Sequence, residues 1–248
     1  MIGESLIWGL LSGSALVIGA VIGLYTRLPH KLIAAIMAYG SGVLISTLSF
    51  ELIDEAYNSG GIKFTAIGFL SGASFYTICN LLLVKYGASH RKHTTKQVRE
   101  GEQDGSGVAI AIGSIMDGIP ESVVIGLSLL QGKGVSYVAV VAIFLSNIPE
   151  SLSSATGMKN AGRSNKYILL LWTFICIIMG LSSLAGYVIF SNFSDQINAA
   201  TMSVAAGAML AMISDTMIPE AFHLTRNFTG IIIVIGFLTA YLLSKSQG

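Results

Sequence analysis

Charge is scarce in this sequence: of 248 residues, 14 are Lys or Arg and 13 are Asp or Glu, together 11%. Soluble domains carry about 25% charged residues, so a water-facing globule is excluded. The formal net charge of +1 offers nothing to a polyanion, and no nucleic-acid partner is expected. Cysteine is nearly absent. Cys79 and Cys176 both lie inside apolar runs, which rules out a disulfide scaffold. No Gly-x-x-x-x-Gly-Lys-Ser/Thr loop occurs, so no nucleotide site is expected. There is no His-Glu-x-x-His pair either. None of the apolar runs alternates with period two, which argues against barrel strands.

What remains is apolar: 53% of residues are hydrophobic and the mean hydropathy is +0.73. Glycine, with 28 residues, exceeds the usual ~7%, as close helix packing in lipid favours. A crossing helix uses about 20 residues. Runs of that length occupy 6–25, 32–54, 64–84, 107–130, 135–158, 167–190, 197–222 and 228–244. The expectation is an all-α membrane protein, one membrane domain over 1–248 with eight crossing helices. The first run lacks a basic leader and a small-residue cleavage site, so it reads as a retained helix.

The basic residues orient these runs. Arg27, Lys31, Lys85, Arg91, Lys92, Lys96, Arg99, Lys159, Arg163, Lys166 and Arg226 follow the odd-numbered runs. Lys63, Lys133 and Lys245 are left for the other side, which accounts for all 14. The positive-inside bias then places both termini outside the cytoplasm. The one sizeable loop, 85–106, falls on the cytoplasmic side. It contains His90 and His93 at a spacing that could touch a metal, although a solvated basic loop near anionic head groups is the plainer reading.

An internal echo is visible. Gly42-Val-Leu-Ile-Ser-Thr-Leu-Ser49, followed by Ile53-Asp-Glu-Ala56, matches Gly207-Ala-Met-Leu-Ala-Met-Ile-Ser214, followed by Ile218-Pro-Glu-Ala221. The offset is a constant 165 positions. The two segments belong to runs of opposite direction, which suggests the inverted repeat common among secondary transporters.

Three of the four prolines sit inside runs, each directly before a glutamate: Asp117-Gly-Ile-Pro120-Glu121-Ser, Ser146-Asn147-Ile-Pro149-Glu150-Ser and Asp215-Thr-Met-Ile-Pro219-Glu220-Ala. A charged group at the bilayer centre costs on the order of 3 kcal/mol on insertion scales. Each proline also frees the carbonyl four residues earlier, those of Met116, Leu145 and Asp215. Asp117 and Glu121 share one helical face, as do Asn147 and Glu150. If runs four and five are antiparallel neighbours, these oxygens converge on a hard-cation site. Polar glue between helices is the alternative use of such groups.

These motifs resemble those of the Zrt-/Irt-like (ZIP) family of divalent metal transporters, whose pattern covers essentially the whole chain. The resemblance implies eight helices in an inverted-repeat bundle, outside termini and a variable loop after the third helix. It also implies an elevator-like shift of helices one, four, five and six against the others. By position, Glu121 and Glu150 match the family's metal-bridging glutamates, and Asn147 matches a ligand. The family's histidine positions are occupied by Asp117 and Ser146, and its His-Glu pair on helix seven by Asp215 and Thr216. The expected metal site is therefore Asp117, Glu121, Asn147 and Glu150. Ser146, Asp215, Glu220 and His223 would serve a second site or the exit, and Glu51 and Glu55 the entrance. His223 also reads as an ordinary interfacial histidine.

The implied substrate is a divalent cation of the Zn/Mn/Fe class, and no cofactor is expected. The partners are the metal ions and the lipid bilayer, with a homodimer through small-residue pairs such as Gly9/Gly13 left open. The implied location is a cell (plasma or inner) membrane. Two other readings stand beside transport. One is a transport-inactive relative acting as sensor or assembly partner. The other is an intramembrane aspartyl protease using Asp117 and Asp215, although neither lies in a Tyr-Asp or Gly-x-Gly-Asp motif.

Overall fold

The computed structural model describes residues 1–88, 106–131 and 135–246. His90, His93 and most of the 85–106 loop lie outside the described residues, as does Lys133. Helices form wherever long uncharged runs meet a stop signal. Helix α1 (Ile2–Tyr25) ends before Pro29, which disfavours helical backbone at the residue preceding it. Helix α2 (His30–Thr47) continues through a π-helical turn (Leu48–Leu52) into α3 (Ile53–Leu83), and a second π turn covers Val84–Ala88. Helix α4 (Ser106–Ser128) and α5 (Tyr137–Asn160) carry Pro120 and Pro149 internally. Ser136 caps α5 by accepting from the Ala139 N–H. Gly162 (φ 95) closes α5 in a Schellman motif, with Gly162 N–H bonded to Lys159 O and Arg163 N–H to Met158 O. Helix α6 (Asn165–Phe190) starts on a Ser164 cap. Helix α7 (Asp195–Met212) runs through a π turn (Ile213–Met217) into α8 (Ile218–Thr225), and α9 (Thr229–Ser246) follows.

No strand occurs among the described residues. Among the described residues, six helical stretches are long and apolar enough to cross a membrane, and two of them have 57 and 52 residues. At about 1.5 Å per residue each of these would far exceed the ~30 Å hydrocarbon core. Each is interrupted once. Gly61 (φ 74, ψ 174) breaks the first, and Arg226 (φ 45) the second. Only glycine adopts the Gly61 conformation without a steric penalty. The run 135–158 starts two residues before α5, whose cap is Ser136.

The helices fall into two sets. In one, α1 packs against α5 and α6, and α6 against α4. In the other, α3 packs against α7, and α2 against α9 and α8; the two sets meet where α2 packs on α5 and α4 on α7. Within each set backbones meet at glycines. Between sets the approach is looser: a Cβ on Gly40 would stand 3.2 Å from the Pro149 ring and 3.3 Å from Ser146 Cα. Outward faces are greasy, with Ile67, Leu70, Phe75, Leu170 and Phe174 exposed. Inward faces hold Ser12, Ser41 and Ser203, whose hydroxyls donate to the carbonyls of Gly9, Met37 and Ala199 on their own helices. Buried hydroxyls are thereby satisfied without water.

The repeat seen in the sequence is present in three dimensions. The π turns Leu48–Leu52 and Ile213–Met217 lie 165 positions apart, the offset of the sequence echo. Pro219 frees the Asp215 carbonyl in the second turn, but Asp54 occupies the matching position in the first, so proline is not the shared cause. Packing repeats as well. A Cβ on Gly72 would overlap the Val204 carbonyl, and one on the equivalent Gly236 would overlap that of Tyr39. Gly42 faces Ile233 O as Gly207 faces Phe69 O. In the other set, Gly23 abuts Leu152 O as Gly186 abuts Val123 O. One approximate two-fold relation therefore exchanges α2 with α7, α3 with α9, α1 with α6 and α4 with α5.

This symmetry makes a quantitative prediction. Gly72→Ala and Gly236→Ala should destabilise the chain by similar amounts, about 1–3 kcal/mol each, as overpacking does. Gly230→Ala, which meets open space in α9, should be neutral or stabilising by up to about 1 kcal/mol. Thermal unfolding of the purified chain in detergent reads all three. Equal tolerance of the three substitutions would contradict the close approach.

Candidate metal centre

The Pro-Glu turns lie midway along α4 and α5, and their side chains are withdrawn from the surface. Asp117 is 2% exposed, Glu121 1%, Asn147 1% and Glu150 4%. Proline does not break either helix. The serine after each glutamate donates to a carbonyl four residues back: Ser122 Oγ to Gly118 O at 2.8 Å, and Ser151 Oγ to Asn147 O at 2.9 Å. These bonds are equivalent under the two-fold relation, with α5 residues 29 positions after their α4 counterparts. Glu121 and Glu150 are thus symmetry mates as well as buried carboxylates.

Asp117 and Asn147 each bond to a group outside α4 and α5. Asp117 Oδ1 accepts a hydrogen bond from the Tyr76 hydroxyl at 2.7 Å, and Tyr76 is itself buried. Asn147 Nδ2 donates to Ser12 O of α1 at 3.2 Å and lies 4.0 Å from Met179 Sδ of α6. Met179 also fills the space beside Gly118, where a Cβ would be 3.4 Å from its sulfur. The sequence expectation that α4 and α5 pack face to face needs adjustment. Their direct contact is slight, with Ser136 N–H donating to Ser128 Oγ near the hairpin. Glycine-mediated packing instead draws α5 onto α1 and α4 onto α6.

The remaining expected positions are scattered. Ser146 is buried and donates to Ile143 O. Asp215 is exposed in its π turn, Glu220 is buried in α8, and His223 is exposed one turn further. Glu51 accepts a short hydrogen bond from Ser244 of α9. Glu55 lines a cavity of about 60 Å³ together with Ser59, Asp195 and Asn198. Among the described residues, no three His, Cys, Asp or Glu side chains are gathered so that they could hold a metal ion. Tyr76 and Ser12 carry no mark in the sequence pattern, whereas Met179 is one of several methionines that could offer a thioether or fill a gap in the packing. A tyrosine inside a charge-free run carries one signal only, a hydroxyl that must find a partner if buried.

No family model matches this chain. A protein of Arabidopsis thaliana, named as a candidate zinc transporter, is 26% identical over 209 residues. The match covers 83% of this chain and 32% of that protein, so the chain spans about a third of the length of its relative.

The Tyr76–Asp117 bond joins the two helix sets, and its strength is measurable. Tyr76→Phe keeps the buried ring and removes the donor to a carboxylate, a bond class worth about 1.5–3 kcal/mol. The melting temperature of the purified chain should fall accordingly, and the loss should shrink when Asp117→Asn is already present. An unchanged melting temperature would mean that the bond contributes nothing.

Proposed function

We propose that the chain is a ZIP-type carrier of divalent metal cations in a cell membrane, the metal being its substrate. The observation that carries this reading is the pair of related Pro-Glu-Ser turns on α4 and α5, whose glutamates and serines are buried. Ionised carboxylates inside an apolar bundle are costly and mark ion pathways, and a cation in transit is a charge that two such groups on these turns could share. Asp117 and Asn147 sit one turn before each glutamate and would add oxygen ligands. The name of the Arabidopsis relative points to the same class of substrate.

The division of the helices into two sets supports an elevator-like mechanism. The set α1, α4, α5 and α6 carries all four proposed ligands and is held together by close backbone contacts. It would move as a body against α2, α3, α7, α8 and α9 across the looser Gly40–Pro149 contact. Such a shift must break the Tyr76–Asp117 bond, because it ties α3 to α4. Release of Asp117 from tyrosine would free a carboxylate oxygen for metal when the sets are displaced. This accounts for a ligand set that is not gathered in the conformation described.

A second reading, a transport-inactive relative, is favoured by the same observation, since no three such groups converge among the described residues. Metal uptake into proteoliposomes separates the two. Under the carrier reading, Glu121→Ala and Glu150→Ala each abolish uptake and leave an inserted, folded chain. Wild-type uptake in both variants would remove these glutamates from the site, and absence of uptake by the wild-type chain would favour the inactive relative.

Metal choice follows from the ligand atoms. Oxygen donors suit harder ions such as Mn²⁺, whereas imidazole suits Zn²⁺. Asp117→His combined with Ser146→His should therefore shift the Zn²⁺/Mn²⁺ competition ratio towards zinc by about tenfold, roughly 1.4 kcal/mol. An unchanged ratio in a variant that still transports would show that these positions do not choose the metal.

A further inference from the structure

An unassigned cavity lies at the opposite end of the bundle from the Glu55 pocket, its α5 wall beginning two residues after Glu150. It measures about 380 Å³ and is bounded by the end of α1, the connection into α2, the first turns of α2 and the last turn of α5. That is many times the ~30 Å³ share of one water in the liquid. Arg27, His30 and Lys159 line it, with Thr26, Thr156 and Asn160 as further polar groups. None of its lining residues is acidic. Leu28, Ile33 and Leu152 supply an apolar wall.

Three features of this cleft select an anion. Arg27 brings fixed positive charge from the α1–α2 connection and Lys159 from the last turn of α5. The first turn of α2 holds no acidic residue, so no side chain of its own offsets the positive end of that helix. Lys159 is already oriented, because its ammonium donates to the Leu24 carbonyl at the end of α1. Arg27 and Lys159 disfavour a cation here.

We propose that this cleft binds the phosphate-bearing headgroup of an acidic glycerophospholipid. Arg27 and Lys159 hold the phosphate, and His30 and the threonine hydroxyls flank it. Leu28 is half-buried, and Tyr25 and Leu32 in the adjoining turns are exposed, so the apolar exterior of the bundle begins at the rim of the cleft, which favours a lipid over a free phosphate. Basic pockets between crossing helices bind acidic headgroups by this chemistry. The cleft also straddles the two helix sets, with α1 and α5 on one side and α2 on the other. The assignment requires only that the chain sits in a bilayer and does not depend on its moving metal.

The test uses the full chain in neutral detergent, titrated with phosphatidylglycerol or phosphatidylcholine and read by native mass spectrometry. The wild-type chain should retain phosphatidylglycerol at least about fivefold better than phosphatidylcholine, the factor expected from roughly one basic contact. Arg27→Gln should bring the two lipids close to parity, and Arg27→Lys should keep most of the preference. Both changes fall on an exposed side chain, so the fold should be undisturbed, and thermal unfolding checks this. Lys166→Gln removes an exposed charge from the first turn of α6 and should leave the preference intact. Equal retention of both lipids by the wild-type chain would overturn the proposal. So would equal losses in Arg27→Gln and Lys166→Gln, which would indicate diffuse attraction. Complete displacement of the lipid by millimolar glycerol 3-phosphate would assign the cleft to a soluble phosphate instead.

Discussion

Close approach of one helix backbone to another is the interaction on which this structure depends. In lipid there is no hydrophobic drive between apolar helices, so packing contacts and interhelical hydrogen bonds must hold them. Here glycine supplies the approach, at α3–α7, α2–α9, α1–α5 and α4–α6. Any side chain at Gly72, Gly207 or Gly236 would collide with a carbonyl oxygen rather than with a side chain that could turn away. The same contacts that hold each set together leave the boundary between sets comparatively smooth. Cohesion and division thus have one origin.

Within that framework the polar interior is organised by local bonds. The Ser122 and Ser151 hydroxyls return to carbonyls of their own helices, so the Pro-Glu turns stay helical despite losing a donor. Tyr76 reaches across from α3 to Asp117, and Asn147 reaches back to Ser12. The two helices bearing the proposed ligands are therefore positioned by α1, α3 and α6 rather than by each other. The arrangement is consistent with a site whose ligands assemble in a different relative position of the two sets.

Much of the fold was legible in the sequence because lipid imposes simple rules. Uncharged runs of about 20 residues marked the helices, and the one-sided distribution of Lys and Arg suggested their alternation. The echo between segments 42–56 and 207–221 carried the two-fold relation, since the π turns recur at that same offset. Candidate ligands were legible through proline and glutamate together, a pairing that apolar packing alone does not favour. Their partners were not. Tyr76 stands in a run without charge, where an aromatic side chain has the same composition signal whether it faces lipid or core. The slight contact between α4 and α5 was hidden too, because a short connection suggests packed neighbours. The glycines that redirect them onto α6 and α1 look no different from other glycines in the sequence. The π turn at Leu48–Leu52 had no local marker, as Asp54 stands where the second copy has Pro219.

The pairing order has a consequence for how the chain is made. Gly42 of α2 docks on Ile233 of α9, 191 positions further along the chain. Synthesis at about 5–20 residues per second puts roughly ten to forty seconds between the emergence of the two. Through that interval α2 rests in the bilayer with its backbone groove uncovered, and α3 waits likewise for α7. The insertion machinery must therefore shelter half-built intermediates whose grooves match those of sibling chains. Because the two-fold relation makes the early and late grooves alike, nascent copies on one messenger RNA could exchange helices unless the C-terminal half arrives first.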